Sequence, residues 1–143
     1  MERAVVHLDL DTFFVSCERL NNPKFENVPL IVGGGNRGVV ASCSYEARKF
    51  GVRSAMPMKS ALRCCPQAIV VKGDMEFYSK KSHEVTQILT EKAPILEKAS
   101  IDEFYMDLTG MDRYFGSYKW ITEIASFTAK ETGLPLSFAL SIN

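Results

Sequence analysis

The sequence predicts an α+β protein with a ferredoxin-like βαββαβ sheet and a small inserted α/β subdomain. Four segments alternate apolar and polar residues as strands do, and two long segments between them have the apolar spacing of helices. Residues 20–73 have a different pattern, with short elements separated by glycine and proline. A chain of 143 residues is long enough for one domain that carries an insertion.

The first half of the chain has short elements. Val6, Leu8 and Leu10 share one face of the first strand, and a glycine-rich loop at 33–38 joins the second and third strands as a hairpin. The predicted strands are Ala4–Leu10, Val28–Val32, Val39–Ser42 and Ile69–Lys72, and the predicted helices are Phe13–Leu20, Tyr45–Lys49 and Lys59–Cys64.

Longer elements follow. Asp74 is placed to cap a helix that runs to about Ala93, where Pro94 marks the end. A second amphipathic helix is predicted from Ser117 to Thr132, before Gly133 and Pro135. Its predicted apolar stripe is Trp120, Ile121, Ile124 and Phe127, and the predicted strands are Ile95–Ser100, Phe104–Leu108 and Leu136–Ile142.

Removing residues 20–73 leaves the element order β, α, β, β, α, β, which is the split βαβ motif. We therefore expect residues 1–19 and 74–143 to form the main sheet and residues 20–73 to form the insertion. Charge follows a similar division, because Gly34–Gly73 holds seven basic residues and one acidic residue in a chain of zero net charge. Such a basic segment indicates an anionic partner, although a solvated basic face is the ordinary alternative.

Several classes of protein are excluded by composition. No apolar run approaches the ~18 residues of a membrane span, and the N-terminus MERAVVHLDL lacks the apolar core of a signal peptide. We therefore expect a cytoplasmic protein without a membrane partner. The cysteines lack metal-binding spacing and are predicted to be buried or unreactive thiols. They are Cys17, Cys43, Cys64 and Cys65.

Three carboxylates are predicted to meet at one edge of the main sheet. In a βαββαβ unit the first and third strands are antiparallel neighbours, so Asp9 near the end of one lies beside Asp102 and Glu103 at the start of the other. Such a cluster needs cations, and hard oxygen ligands suit Mg²⁺ or Mn²⁺. Asp11 and Asp107 are expected either to be structural or to support the metal ligands from outside the cluster, and His7 and His83 are expected to be structural.

Three motifs in this chain resemble those of a known family. HLDLDTFFVSCE, ASCSYEARKFGVRSAMP and ASIDEFYMDLT are similar to the N-terminal half of the catalytic core of Y-family, or translesion, DNA polymerases of the bacterial type. The resemblance implies a palm domain with a fingers insertion. It further implies template-directed DNA synthesis from dNTPs on primer-template DNA, with two Mg²⁺ ions that Mn²⁺ can replace.

The resemblance also implies roles for individual residues. Asp9, Asp102 and Glu103 are the implied metal ligands and catalytic carboxylates, with Leu10 lending its backbone carbonyl. The residues implied to bind the nucleotide are Phe13, Phe14, Ser42, Tyr45 and Arg48.

Three of these nucleotide-binding assignments, those of Phe13, Phe14 and Arg48, have a structural alternative. Phe14 matches the steric gate that lies against the sugar, but both phenylalanines could instead be core aromatics, and for Phe13 that explanation is preferred. For Arg48 the alternative is a surface ion pair with Glu46 or another neighbour. The glycines at 33, 34, 35 and 38 lack a following GK[ST], so we predict a hairpin over the nascent base pair and no phosphate loop.

The resemblance has one departure. The family continues after the last palm strand into a triphosphate-binding lysine, whereas this sequence ends at SIN. We therefore expect the thumb and the C-terminal little-finger domain, with any sliding-clamp contact, to lie outside this chain. The isolated chain is expected to be inactive.

Two other functions are compatible with a βαββαβ sheet. A nucleotide cyclase also brings strand carboxylates to two metals, but it would have a glycine-rich acidic hairpin and no basic insertion. An RNA-binding module stacks bases on aromatics of its first and third strands. Here that face offers Asp9 and Glu103, which would repel a phosphate backbone in the absence of metal.

Overall fold

The computed structural model describes residues 3–34, 38–93, 95–110 and 116–142, which form two compact units. The first unit comprises the chain up to Asp11 and from Ser79 onward, and the second is Thr12–Tyr78. Gly35 and Arg37 of the predicted hairpin loop, Pro94 and Asn143 lie outside the described residues. In chain order the elements are β1 (Ala4–Leu10), α1 (Phe13–Asn21), a 3-10 turn (Pro23–Phe25), β2 (Leu30–Gly33), β3 (Val40–Cys43), α2 (Tyr45–Arg48), α3 (Met58–Cys64), β4 (Ile69–Val71), α4 (Met75–Lys92), β5 (Ile95–Lys98), β6 (Glu103–Asp107), α5 (Ser117–Thr132) and β7 (Leu136–Ile142).

The sheet of the first unit has the predicted ferredoxin-like order. Its strands are arranged β5-β6-β1-β7, and each strand is antiparallel to its neighbours. Along β1 every second side chain, from Ala4 to Leu10, is buried, and Phe104 and Met106 of β6 are buried in the same alternation. The opposite face of both strands is more open, and it carries Asp9 and Glu103. The fold class predicted from the sequence is therefore confirmed.

The buried stripe of α5 differs from the predicted one. Ile121 and Ile124 are buried as expected, but Trp120 is only half-buried and Phe127 is 42% exposed, with Lys92 Nζ lying 5.0 Å from its ring centroid. The buried stripe continues instead through Thr128 and three other residues. These are Ser117, Ala125 and Thr132.

Threonine replaces an apolar residue in this stripe because its hydroxyl is satisfied within the helix. Thr128 Oγ1 donates to the Ile124 carbonyl at 2.8 Å, and Thr132 Oγ1 donates to the Thr128 carbonyl at 2.7 Å. A buried hydroxyl with such a partner avoids the cost of desolvation without a hydrogen bond. A prediction from apolar periodicity alone therefore places Phe127 in the buried stripe, whereas the stripe contains the next residue, Thr128.

The predicted N-terminal cap of α4 is present. Asp74 Oδ1 accepts a hydrogen bond from the Phe77 backbone N–H at 3.1 Å. We expect Asp74→Ala to lower the free energy of unfolding by about 1 kcal/mol, because that N–H loses its partner. Urea unfolding followed by circular dichroism measures the change. Asp74→Asn keeps a capping oxygen and should stay close to the wild type, and equal losses in both variants would contradict the cap.

The second unit contains a three-stranded sheet of order β3-β2-β4, antiparallel on one side of β2 and parallel on the other. The β2–β3 pair has the predicted hairpin pairing, and Gly33 is required there because a Cβ would lie 2.4 Å from the Val39 carbonyl oxygen. Apolar residues from β2, β3, the short helices and the segments that follow those helices form the core of this unit. Its buried members are Ile31, Val40, Cys43, Ala47, Val52, Met58, Ala61 and Cys65.

The second unit includes α1, which the sequence analysis grouped with the main sheet. The division of the chain into a main-sheet domain of residues 1–19 and 74–143 and an insertion of residues 20–73 stays a prediction. None of the four cysteines forms a disulfide bond, and of the four only Cys64 is exposed. Among the described residues no helix is both long and apolar enough to cross a membrane.

Candidate active site

The three predicted carboxylates lie together at one edge of the first unit's sheet. Asp9 on β1 stands directly opposite Glu103 on β6, and Asp102 immediately precedes Glu103. One carboxylate oxygen of each residue lies within 4.8 Å of the others. All three side chains are half-buried, so the cluster is open to a ligand from solvent.

Backbone hydrogen bonds determine this placement. The Leu10 N–H donates to the Asp102 carbonyl at 2.9 Å, which ties the end of β1 to the turn before β6. In the same turn the Ala99 N–H donates to the Glu103 carbonyl at 3.0 Å, and Ser100 Oγ donates to Asp102 Oδ1 at 2.9 Å. The turn therefore holds two adjacent carboxylates beside a third from the far end of the sequence.

Electrostatic repulsion within the cluster is visible at Asp9. Partial burial raises the pKa of Asp9, and the negative charges of Asp102, Glu103 and Asp11 raise it further, while His7 opposes them. A site in which like charges disfavour ionisation gains stability from a bound cation. The donor set consists of hard carboxylate oxygens, which fits Mg²⁺ or Mn²⁺.

Neighbouring residues have other partners. Asp11 accepts a hydrogen bond from Ser137 Oγ at 2.9 Å. Asp107 stands at the opposite end of β6, where hydrogen bonds from Thr109 lower its pKa. The His7 ring stacks on Tyr105 with centroids 4.8 Å apart, and its Nε2 has no hydrogen-bond partner among the described residues.

In the second unit the two phenylalanines of α1 occupy different environments. Phe13 is 3% exposed and belongs to the core, as the sequence analysis favoured. Phe14 is half-buried, and its ring stacks on Tyr78 with centroids 4.5 Å apart and planes 16° from parallel. Tyr78 is buried, and its hydroxyl donates to Glu18 Oε2 at 2.8 Å. Burial and the Glu18 carboxylate raise the pKa of Tyr78.

Sequence reasoning missed this support for Phe14. Tyr78 lies within the helix predicted after Asp74, but neither Tyr78 nor Glu18 was singled out. No sequence signal joins the two, because they lie 60 residues apart and a glutamate on a short helix is usually exposed.

Three further predicted residues lie on β3 and α2. Ser42 is half-buried, Tyr45 is 55% exposed, and the Arg48 Cζ lies 4.9 Å from the centroid of the Tyr45 ring. Glu46 pairs with Arg19 rather than with Arg48, and Arg48 makes no ion pair within the described ranges. The guanidinium of Arg48 thus retains donors for an anionic ligand.

Comparison with known sequences gives consistent matches. The impB/mucB/samB family model matches residues 8–143. DNA polymerase IV of Treponema denticola is 44% identical over 144 residues, which cover 99% of this chain and 36% of that protein. DNA polymerase IV of Clostridium perfringens strain 13 is 46% identical and is covered over 40% of its length. The chain therefore spans well under half of these relatives.

Solved structures match over nearly the whole chain. DinB from Sulfolobus solfataricus is 31% identical with a TM-score of 0.88, and the match covers 96% of this chain and 42% of that one. An insertion ternary complex of Dbh DNA polymerase is 30% identical with a TM-score of 0.90 and the same coverage.

Proposed function

The chain belongs to the impB/mucB/samB family, the Y-family group that its three motifs predict, and on this premise we propose that it is the palm and fingers part of a translesion DNA polymerase. The full-length protein would join dNTPs to a primer 3′ end on a DNA template. One observation carries the proposal. Asp9, Asp102 and Glu103, from two distant segments, place carboxylate oxygens within 4.8 Å of one another.

We assign the metal site to these three carboxylates together with the backbone carbonyl of Leu10. Two Mg²⁺ ions, which Mn²⁺ can replace, would supply activation of the attacking oxygen and stabilisation of the leaving oxygen. The raised pKa of Asp9 supports the fit, because a cation removes the repulsion that causes it. The protein's part is to hold these carboxylates in place through the turn before β6.

Nucleotide binding is assigned to the second unit. The planar guanidinium of Arg48 would donate hydrogen bonds to the triphosphate oxygens, and the hydroxyls of Ser42 and Tyr45 would donate further hydrogen bonds to the nucleotide. Phe14 would lie against the sugar, and its stacking on Tyr78 supports that role because it restrains the ring. Phe13, named with these residues in the sequence analysis, supports the site from the core.

The proposed partners and location follow from the proposed reaction, which is DNA synthesis. Primer-template DNA and a dNTP are the proposed partners, and the cytoplasm is the proposed location. Contact with a sliding clamp stays a prediction for sequence outside this chain, as do a thumb and a little-finger domain.

Nucleotide should tighten metal binding by this chain. We expect Mn²⁺ to bind weakly by itself and at least about tenfold more tightly with a dNTP, because phosphate oxygens complete the coordination shell. Calorimetric titration with and without nucleotide measures the difference. Primer extension by the full-length protein, with Mg²⁺ and with EDTA, tests the reaction itself.

The controls separate the proposed site from adventitious binding. Asp107→Asn removes a carboxylate at the far end of β6 and should leave both titrations unchanged. Identical Mn²⁺ affinity with and without nucleotide, or primer extension that continues in EDTA, would contradict the proposed function.

A further inference from the structure

Arg19 on α1 joins three separate pieces of the second unit. Its Nε donates to the Phe25 carbonyl at 2.9 Å, and its Nη2 donates to the Val28 carbonyl at 3.0 Å. The same Nη2 lies 3.1 Å from Glu46 Oε1. One guanidinium therefore connects α1, the turn before β2 and helix α2.

Helix α2 is a single turn, so few contacts determine its orientation. At its start Ser44 Oγ accepts from the Ala47 N–H at 3.2 Å and from the Leu30 N–H at 2.9 Å. Ala47 is fully buried in the core on the inner side. Among the described residues, Glu46 is the one side chain of α2 that forms an ion pair. Ala47 anchors the inner side of the helix, and the ion pair of Glu46 anchors another side.

The Arg19–Glu46 pair is partly shielded from water. The side chains are 16% and 31% exposed. Burial raises the pKa of Glu46, but hydrogen bonds from its own backbone N–H and from Arg19 outweigh burial and lower the pKa overall. Arginine suits this position because its fixed fork reaches a carboxylate and two carbonyls together, which a lysine ammonium cannot do.

We propose that Arg19 is a positioning residue that sets the orientation of α2, and thereby of Tyr45 and Arg48, toward the incoming nucleotide. The inference rests on the proposed function. Arg19 does not touch the nucleotide itself; it acts through Glu46, which lies between the two nucleotide-binding residues on the same turn. Arg19 is also on the helix that carries Phe14, so one side chain links the proposed gate helix to the proposed triphosphate helix.

The test is steady-state nucleotide insertion by the full-length protein with Arg19→Met and Glu46→Leu. Both variants remove the ion pair, and we expect the KM for dNTP to rise about fivefold to tenfold with kcat changed less than about twofold, because triphosphate contacts formed equally in the ground and transition states are weakened. Arg19→Lys keeps the positive charge but loses the planar guanidinium. Its KM for dNTP should therefore lie between that of these variants and that of the wild type.

Two controls make the outcome specific. Lys81→Gln removes the Lys81–Glu84 ion pair of 2.7 Å in the first unit and should leave KM unchanged. Thermal unfolding shows whether a variant is folded at the assay temperature, and Glu46→Leu keeps the carbonyl contacts of Arg19 if Arg19→Met does not fold. An unchanged KM for dNTP in folded Glu46→Leu would overturn this inference and leave the proposed function standing. No insertion by the wild type would overturn the proposed function, and the inference with it.

Discussion

Asp102→Ala in the full-length protein is expected to lower the rate of primer extension by about 1,000-fold or more, a loss typical of removing a group that stabilises transition-state charge. Asp102 supplies one of the three carboxylates of the cluster, and Asp9 and Glu103 would remain as two ligands of a weakened site. Single-turnover insertion of a dNTP with Mg²⁺ measures the effect. In this chain the same variant should lose the tightening of Mn²⁺ binding by nucleotide.

A matched substitution distinguishes loss of the site from loss of the fold. Asp107→Ala changes the same residue type at the other end of β6, where Asp107 accepts a hydrogen bond from the Thr109 backbone. Near-normal extension is expected from it. If Asp102→Ala retains wild-type insertion and Mn²⁺ binding, the carboxylate cluster is not the metal site.

Phe14→Ala in the full-length protein is expected to raise ribonucleotide insertion relative to deoxyribonucleotide insertion by about 100-fold. The ring of Phe14 would occupy the space that a 2′-hydroxyl needs, so selectivity should depend on side-chain volume. Its face-to-face contact with Tyr78 limits movement of the ring away from that space. The ratio of kcat/KM for matched ribonucleotides and deoxyribonucleotides measures the effect.

The alternative role for Phe14 predicts a different result. A purely core phenylalanine would leave a cavity on truncation and cost ~3 to 5 kcal/mol of stability. Phe14 is half-buried whereas Phe13 is 3% exposed, so the larger loss of stability is expected from Phe13→Ala. A strongly destabilised Phe14→Ala enzyme with unchanged sugar selectivity would show that Phe14 is not the gate.

The order of strands and the meeting of the carboxylates could be predicted from the sequence. Strand residues alternate between faces, so burying Leu8 and Leu10 of β1 requires Asp9 to face the other way. A slip of one residue in register would put Asp9 into the core, and burial of the apolar face therefore fixes the register. The turn residues before β6 then place Asp102 and Glu103 beside Asp9 with little freedom.

The polar contacts that hold Phe14 and α2 in the second unit are visible only in the tertiary structure. The contacts Tyr78–Glu18 and Arg19–Glu46 join residues 60 and 27 positions apart. The first is buried and the second is partly shielded from water, although single-sequence patterns assign these polar groups to the surface. Apolar periodicity reports which residues avoid water, but it carries no information about which buried polar group finds which partner. That choice depends on where separate elements pack, so the residues that orient Phe14 and α2 became visible only in three dimensions.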